Sequence, residues 1–206
     1  MNNKFVLSYS GGKDCILALY RKIQKGCIPV ALLTTVKKSK SETWTHGLSY
    51  DLLEQVSKSL ELPIIYVECE ASEYEFKFEE KLKEAKKMGA TSVVYGDIDI
   101  ELHKKWGIDR ANNVGMNHEF PLWGENREKL VHEVIDNGFK AVIKKVNLDY
   151  MSNDFLGKIL TKELITKIKG TGADVCGENG EYHTFVIDGP IFNYKIDINN
   201  NDSFKI

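Results

Sequence analysis

Cysteine is scarce in this chain of 206 residues, with four in all, and no two of them form a C-x-x-C pair. This spacing argues against a structural zinc site and against thioredoxin-like redox chemistry, and such sparse cysteines suit a reducing cytosol. Long apolar runs are also missing, since no stretch approaches the ~20 residues of a membrane-spanning helix. The N-terminus is too polar for a signal peptide. We therefore predict a cytoplasmic protein that has no membrane partner.

An excess of charge is missing as well, because 28 Lys and Arg residues oppose 30 Asp and Glu residues, for a net charge of −2. This balance gives no electrostatic reason to expect strong binding to a nucleic-acid backbone, although it does not exclude a local basic groove. The hydrophobic fraction of 42% is enough for a sizeable core without disulfides. We expect one main α/β domain and a smaller C-terminal lobe, and a homodimer is one open assembly state.

Strand and helix patterns alternate through the first half of the chain. Short apolar runs predict strands over 4–8, 29–36, 63–67 and 92–95, and amphipathic spacing predicts helices over 14–25, 48–60 and 74–88. This alternation implies a parallel sheet with helices on both faces. Ligands bind beyond the carboxyl ends of the strands in such sheets. We therefore expect the polar loops 9–14, 34–47 and 96–106 to open onto one crevice.

The second half of the chain is less regular. Its patterns predict a helix over 125–137, a strand over 139–146, a helix over 161–169 and a strand over 182–188. Residues 199–203 are predicted to form a turn or a frayed end. We divide the chain into an α/β domain over 1–124 and a C-terminal lobe over 125–206.

A glycine loop joins the first predicted strand to the first helix, with the sequence Ser10-Gly11-Gly12-Lys13-Asp14. Two glycines let the backbone N–H groups approach a ligand, and the helix N-terminus adds a partial positive charge. Ser10 supplies a hydroxyl donor, Lys13 a full charge, and Asp14 a carboxylate for a magnesium ion that bridges phosphate oxygens. The segment is neither a Walker loop nor G-x-G-x-x-G. It predicts a phosphate site, and a plain glycine turn is the alternative.

A second polar motif lies near the C-terminus, where two carboxylates, an imidazole and a hydroxyl fall within residues 176–185. If a strand covers 181–186, Glu181, His183 and Phe185 share one of its faces. The set suits polar recognition or general acid–base work on an incoming nucleophile. A solvated hairpin end is the alternative.

These motifs resemble those of a known family. The glycine loop resembles the SGGxDS pyrophosphate loop of the N-type ATP pyrophosphatases, the PP-loop superfamily, with Cys15 in place of the last serine. The run GENGEYHTFVIDGPIF over 177–192 resembles the signature of the diphthine–ammonia ligase family. Further similar stretches are His46-Gly47, the segment 95–106 and the segment 120–124, so that the resemblance covers residues 4–195.

The resemblance implies both a fold and a reaction. The fold is an adenine nucleotide alpha hydrolase-like, Rossmann-like α/β domain with a parallel five-stranded sheet, followed by a small α+β lobe that binds the acceptor. The reaction is an ATP-dependent amidation with ATP and Mg²⁺ as cofactors. The carboxylate of diphthine, a modified histidine of elongation factor 2, or of a related substrate, is adenylated. Ammonia then displaces AMP, and pyrophosphate is the other product.

Residue chemistry and the resemblance together predict the site. The predicted nucleotide-binding residues are Ser10, Gly11, Gly12, Lys13, Asp14, Cys15, Thr34 and Thr35, with Asp14 as the metal ligand. The predicted acceptor-binding residues are His46, Gly96, Asp97, His103, Trp106, Glu178, Glu181 and Thr184. The predicted catalytic residues are Lys13, which stabilises the charge of the leaving pyrophosphate, and Glu178, Glu181 and His183, which handle the ammonia proton. Strand capping by the threonines, helix capping by Asp97 and structural roles for the histidines are the alternatives.

Two other functions stay open at this point. A thiolating or tRNA-modifying enzyme could share the same ATP loop, and it would need a persulfide-carrying cysteine, for which Cys176 is the candidate beside the second motif. A non-catalytic ATP-binding regulatory protein is the other alternative, and Cys15 in place of serine favours it. The polar C-terminal motif argues against a protein without turnover.

Overall fold

The computed structural model describes residues 3–40 and 42–198, so the predicted turn or frayed end at 199–203 lies outside the described residues. The strands are β1 Lys4–Ser8, β2 Ile28–Lys37, β3 Glu42–Thr43, β4 Ile64–Cys69, β5 Ser92–Val94, β6 Asn117–Glu119, β7 Lys140–Val146 and β8 Tyr182–Asp188. The helices are α1 Lys13–Gln24, α2 Tyr50–Leu60, α3 Tyr74–Lys87, α4 Glu101–Asn113, α5 Arg127–Asp136 and α6 Lys162–Gly170. Within these described ranges, no helix combines the length and the apolar composition that crossing a membrane requires.

Five strands of the central sheet are parallel and lie in the order β4-β2-β1-β5-β6. The short strand β3 adds an antiparallel pair at Val36 and Lys37, at the end of β2. The predicted parallel five-stranded sheet is therefore confirmed. Sequence periodicity did not indicate β6, because its three residues Asn-His-Glu are polar and partly exposed.

Helices cover both faces of this sheet, as predicted. Alternate residues of β1 point to opposite sides, so that Phe5 and Leu7 pack with α1 and α2 while Val6 packs with α3 and α4. Each of these side chains is fully buried. Removing a side chain of this size from water stabilises the fold by about 1.5–3 kcal/mol.

Helix α4 differs from the prediction, which treated 96–106 as a loop. Its buried residues are Gly107 and Ala111, so small side chains rather than large apolar ones form its inner face. A Cβ atom added at Gly107 would lie 3.1 Å from the Tyr95 ring, which shows how closely this helix approaches the sheet. A search for apolar periodicity misses a helix packed in this way.

The C-terminal segment packs directly onto the first helix. Strands β7 and β8 form an antiparallel pair, and Phe139, just before β7, meets Tyr20 of α1 edge to face at 5.4 Å. The hydrophobic side chains of Leu17, Leu130 and Phe185 belong to one continuous core. The predicted boundary between residues 124 and 125 stays a prediction, because the core runs across it.

Candidate active site

A cleft of about 350 Å³ opens at the carboxyl ends of the parallel strands. The glycine loop, the segment after β2 and the segment after β5 all border it, and the turn before β8 closes the fourth side. The prediction that the three loops open onto one crevice is therefore confirmed. The predicted site residues that line it are Ser10, Lys13, Asp14, Cys15, His46, Gly96, Asp97, His103, Glu178, His183 and Thr184.

The glycine loop owes its shape to the absence of side chains at two positions. Gly11 has φ +90°, and a Cβ atom there would lie 2.4 Å from Leu48 Cδ1. A Cβ atom at Gly12 would lie 2.8 Å from His46 Cε1. Gly12 is the N-cap of α1 and offers no side-chain cap, so the first-turn N–H groups other than that of Lys13 remain suited to an anionic ligand.

Residues of β8 hold the same loop by hydrogen bonds. Val186 N donates a hydrogen bond to Gly11 O at 3.0 Å, and Lys13 N donates to Thr184 Oγ1 at 3.0 Å. Thr184 was predicted to bind the acceptor, and in the structure its hydroxyl holds the start of α1. The glycine loop is thus held by residues about 170 positions away in the chain.

Cys15 stands where the motif that this loop resembles has a serine, and it is buried. Its Sγ receives a hydrogen bond from Ser10 Oγ at 3.4 Å and donates one to Gly12 O at 3.1 Å. Burial raises the pKa of the Cys15 thiol, so the group stays protonated. The thiol therefore stabilises the loop through its hydrogen bonds with Ser10 and Gly12.

Lys13 is a buried cation held by two acceptors. Its Nζ lies 2.8 Å from Asp14 Oδ2 and also donates to the carbonyl oxygen of Cys176. Burial by itself would lower the pKa of Lys13, but the nearby acidic groups, Asp14 foremost, together outweigh this effect and raise the pKa well above its usual value. The ammonium group therefore remains charged at the edge of the cleft.

Glu178 faces Asp14 across this cation. Ligand atoms of Asp14, Cys176 and Glu178 lie within 4.8 Å of one another. Burial raises the pKa of Glu178 to about 7, and the nearby charge of Asp14 contributes to the shift. A divalent cation would relieve this repulsion, and two carboxylates fit the oxygen preference of Mg²⁺. Burial raises the pKa of the Cys176 thiol, which is a poor partner for so hard an ion.

Two imidazoles form the opposite wall of the cleft. His46 Nδ1 donates to Thr184 O at 2.7 Å, which leaves Nε2 as a hydrogen-bond acceptor. Burial lowers the pKa of His46 to about 3, with a further contribution from His183, whose ring lies edge-on at 5.1 Å. Burial also lowers the pKa of His183. Both rings are therefore neutral near pH 7, and His46 stays unprotonated at this pH.

His103 and Asp97 lie at the outer end of the cleft and contact each other. His103 Nδ1 is 3.4 Å from Asp97 Oδ1, and this hydrogen bond raises the pKa of His103. The sequence predicted both residues as part of the acceptor site, but it did not predict that their side chains contact each other.

A second cavity of about 240 Å³ adjoins the cleft and contains the two predicted threonines. It shares Ser8, Ser10 and Thr45 with the cleft. Thr34 Oγ1 and Tyr9 Oη are buried there without a hydrogen-bond partner in the described part of the chain. Such orphaned groups favour a ligand that supplies hydrogen bonds.

Aromatic rings form one wall of the second cavity. Trp44 and Tyr74 both border it, and their rings stack at 5.9 Å. Trp106, predicted to bind the acceptor, is not part of either cavity wall. It stacks behind Tyr74 at 5.0 Å and also packs on Phe78, because α4 turns its side chain toward α3.

The structure does not bring Glu181 to the cleft either. Glu181 lies just before β8 and is 2% exposed. Its Oε1 accepts hydrogen bonds from Asp174 N and Asn179 Nδ2, both at 3.1 Å, and its Oε2 accepts one from Asn179 N at 3.0 Å. Both oxygens of the Glu181 carboxylate are therefore occupied by hydrogen bonds within the turn. Glu178, rather than Glu181, lines the cleft.

Glu181→Gln is expected to destabilise the protein by about 1.5–3 kcal/mol, because the amide replaces a charged acceptor and turns a donor toward an N–H group. Thermal unfolding measures the loss. Glu163→Gln is the matched control, since Glu163 lies exposed in the first turn of α6. A Glu181→Gln protein as stable as the wild type but impaired toward the acceptor would return Glu181 to the acceptor site.

Arg127 helps to hold the site together, although no local sequence pattern predicts this role. This first residue of α5 pairs with Asp99, beyond β5, and with Asp174, in the turn before β8. Asp174 in turn accepts hydrogen bonds from Cys176 N at 3.1 Å and from Glu178 N at 3.3 Å. Only the fold brings these separate segments together.

Both halves of this chain are similar to known protein domains. The model of the diphthamide synthase N-terminal domain matches residues 3–118, and that of the diphthamide synthase C-terminal domain matches residues 126–205. The diphthine–ammonia ligase of Mus musculus is 32% identical over 221 residues, and that of Rattus norvegicus is 28% identical over the same length. Each alignment covers 94% of this chain and 82% of the relative.

Among solved structures, a predicted subunit of tRNA methyltransferase from Methanocaldococcus jannaschii is similar with a TM-score of 0.46 and 17% identity. The similarity covers 94% of this chain and 99% of that one. The two domain models together span most of the chain, and the mouse relative is aligned over most of its own length. Both findings indicate the same family. The chain belongs to the diphthamide synthase family.

Proposed function

We propose that this protein is an ATP-dependent ligase that joins ammonia to a carboxylate on an acceptor and releases AMP and pyrophosphate. The observation that carries the proposal is a charged, buried Lys13 beside two facing carboxylates, Asp14 and Glu178, at the mouth of a glycine loop. The relatives named diphthine–ammonia ligase support the choice of reaction. Diphthine, as found in elongation factor 2, is the proposed acceptor.

The two cavities divide the nucleotide between them in this proposal. The phosphates lie on the loop Ser10, Gly11, Gly12 and Lys13, of which Ser10 and Lys13 line the cleft. The nucleoside enters the cavity that contains Thr34, Thr35 and the Trp44 ring. Asp14 and Glu178 would hold a magnesium ion, which neutralises charge on the phosphates. Lys13 stabilises the charge that develops on the leaving pyrophosphate.

The acceptor occupies the part of the cleft bordered by His46, Asp97 and His183. Its carboxylate oxygen attacks the α-phosphorus of ATP, and pyrophosphate leaves. Ammonia then attacks the acyl carbon of the adenylate, and AMP leaves with the electrons of the broken C–O bond. His183 is neutral, half-buried and in the cleft wall, so it can take the proton that the attacking nitrogen loses.

The nucleotide product tests this proposal. Purified protein is incubated with labelled ATP, Mg²⁺, ammonium and elongation factor 2 that carries diphthine. AMP and pyrophosphate are expected, and neither should form when the acceptor or ammonium is omitted. ADP as the product would contradict the adenylation step. Tight ATP binding without any turnover would favour the regulatory protein instead.

A thiolating enzyme is disfavoured by the state of Cys176. The residue is 1% exposed, and burial raises the pKa of its thiol, so the nucleophilic thiolate is scarce at neutral pH. Cys176→Ala is therefore expected to keep most of the AMP-forming activity, measured as pyrophosphate release. Cys27→Ala, at the partly buried cysteine before β2, is the control. Complete loss of activity in Cys176→Ala alone would revive the thiolation mechanism.

A further inference from the structure

Glu178 sits in a turn that is stabilised mainly by its own polar groups. The Asp174 carboxylate accepts hydrogen bonds from Cys176 N and Glu178 N, and the Glu181 carboxylate accepts from Asp174 N and Asn179 N. These bonds fix the turn internally. They do not connect the turn to Asp14, whereas the bond from Lys13 Nζ to Cys176 O ties the turn to the glycine loop.

Arg127 supplies a connection between this turn and the sheet. Its Nε and Nη2 donate to the two carboxylate oxygens of Asp99, each at 2.7 Å. Its Nη1 donates to Asp174 Oδ2 and, at 3.3 Å, to Asn179 Oδ1. One guanidinium group therefore joins the segment after β5, which carries Asp97, to the turn that carries Glu178.

We infer that Arg127 is a positioning residue for the metal site, which acts on Glu178 through Asp174. Arg127 does not line the cleft, whereas Asp174 Oδ2 accepts from both the guanidinium and Glu178 N. The inference rests on the proposed function, since it assigns Glu178 to the magnesium ion that accompanies ATP.

The planar fork of arginine is essential to this role. Three of its nitrogens serve acceptors on two separate segments, and a lysine ammonium is a point charge that cannot reach both with the same geometry. Groups that orient metal ligands from behind typically change metal affinity or activity about 10–100-fold when replaced. Arg127→Lys is therefore expected to weaken Mg²⁺-dependent ATP binding by about 10–100-fold.

Arg21 offers a matched control. It also joins two carboxylates, Glu125 and Glu133, and it ties α1 to α5 away from the cleft. Arg21→Lys thus removes a comparable fork and leaves the turn before β8 untouched. Thermal unfolding of both variants compares their effects on stability.

The test measures ATP binding by calorimetry in Mg²⁺ and again in EDTA, for the wild type and both variants. Arg127→Lys should lose affinity only in Mg²⁺, and free guanidinium should restore part of it in Arg127→Ala. Equal losses with and without Mg²⁺, or losses of the same size in Arg21→Lys, would overturn the inference.

Amide hydrogen exchange provides a second readout that needs no nucleotide. Exchange at Cys176 N, Glu178 N and Asn179 N should quicken in Arg127→Lys and stay at the wild-type rate in Arg21→Lys. Unchanged exchange in Arg127→Lys would overturn the positioning role. A wild-type protein that fails to bind ATP would contradict the proposed function separately, because the exchange result does not depend on ATP.

Discussion

Asp14→Asn is expected to lower Mg²⁺-dependent ATP cleavage by about 10²–10³-fold, the loss typical when one charge-stabilising group is removed from an active site. Asparagine keeps the shape of the side chain but removes one of the two carboxylates that face each other at the metal-capable cluster. It also removes the anion that lies 2.8 Å from Lys13 Nζ. Pyrophosphate release at saturating ATP and acceptor measures the effect.

Asp51→Asn is the control for this substitution. Asp51 is the second residue of α2 as Asp14 is of α1, and it is exposed and distant from the cleft lining. Both variants therefore lose the same favourable charge at a helix N-terminus. Wild-type turnover in Asp14→Asn would mean that the metal is held elsewhere. Removal of the metal with EDTA should reduce wild-type turnover to the level of that variant.

Gly96→Ala is expected to give the second large effect, on both stability and nucleotide binding. A Cβ atom at Gly96 would lie 2.7 Å from Cys15 N, 2.8 Å from Cys15 Cα and 2.9 Å from Asp14 C. All three contacts are to backbone, so the first turn of α1 must move away from the end of β5. Overpacking of this kind typically costs about 1–3 kcal/mol. We expect a lower Tm and a loss of ATP affinity in calorimetry.

Gly170→Ala separates the clash from the general effect of replacing glycine. Gly170 is the last residue of α6, and no atom lies within 4 Å of the Cβ position there. Alanine at such a helical position is expected to be neutral or to stabilise by up to about 1 kcal/mol. If Gly96→Ala kept both its Tm and its ATP affinity, the close approach of β5 and α1 would not matter for the site.

The sequence was most informative where the functional residues are consecutive in the chain. The glycine loop can be recognised because five consecutive residues carry the needed backbone freedom and charge, and the structure places Ser10, Lys13 and Asp14 in the cleft wall. The convergence of three loops followed from the parallel sheet that the alternation of strands and helices implied, although periodicity missed β6 and α4. The roles of the individual site residues stay predictions.

Other parts of the site depend on information that local sequence does not carry. Glu178 and Glu181 stand three positions apart in the same motif, and only the hydrogen bonds of the folded turn decide that Glu181 is enclosed. Arg127 acts through partners 28 and 47 residues away. Helix α4 was missed because Gly107 and Ala111 form its buried face.

The bond between Lys13 N and Thr184 Oγ1 spans 171 positions of the chain, and Val186 supports Gly11 in the same way. A ribosome therefore makes the glycine loop well before it makes the β8 residues that support the loop. Contacts of such long range form late and slowly in folding. If the glycine loop binds ATP as proposed, binding requires β8, and a nascent chain that lacks β8 carries the loop without the two hydrogen bonds that hold it.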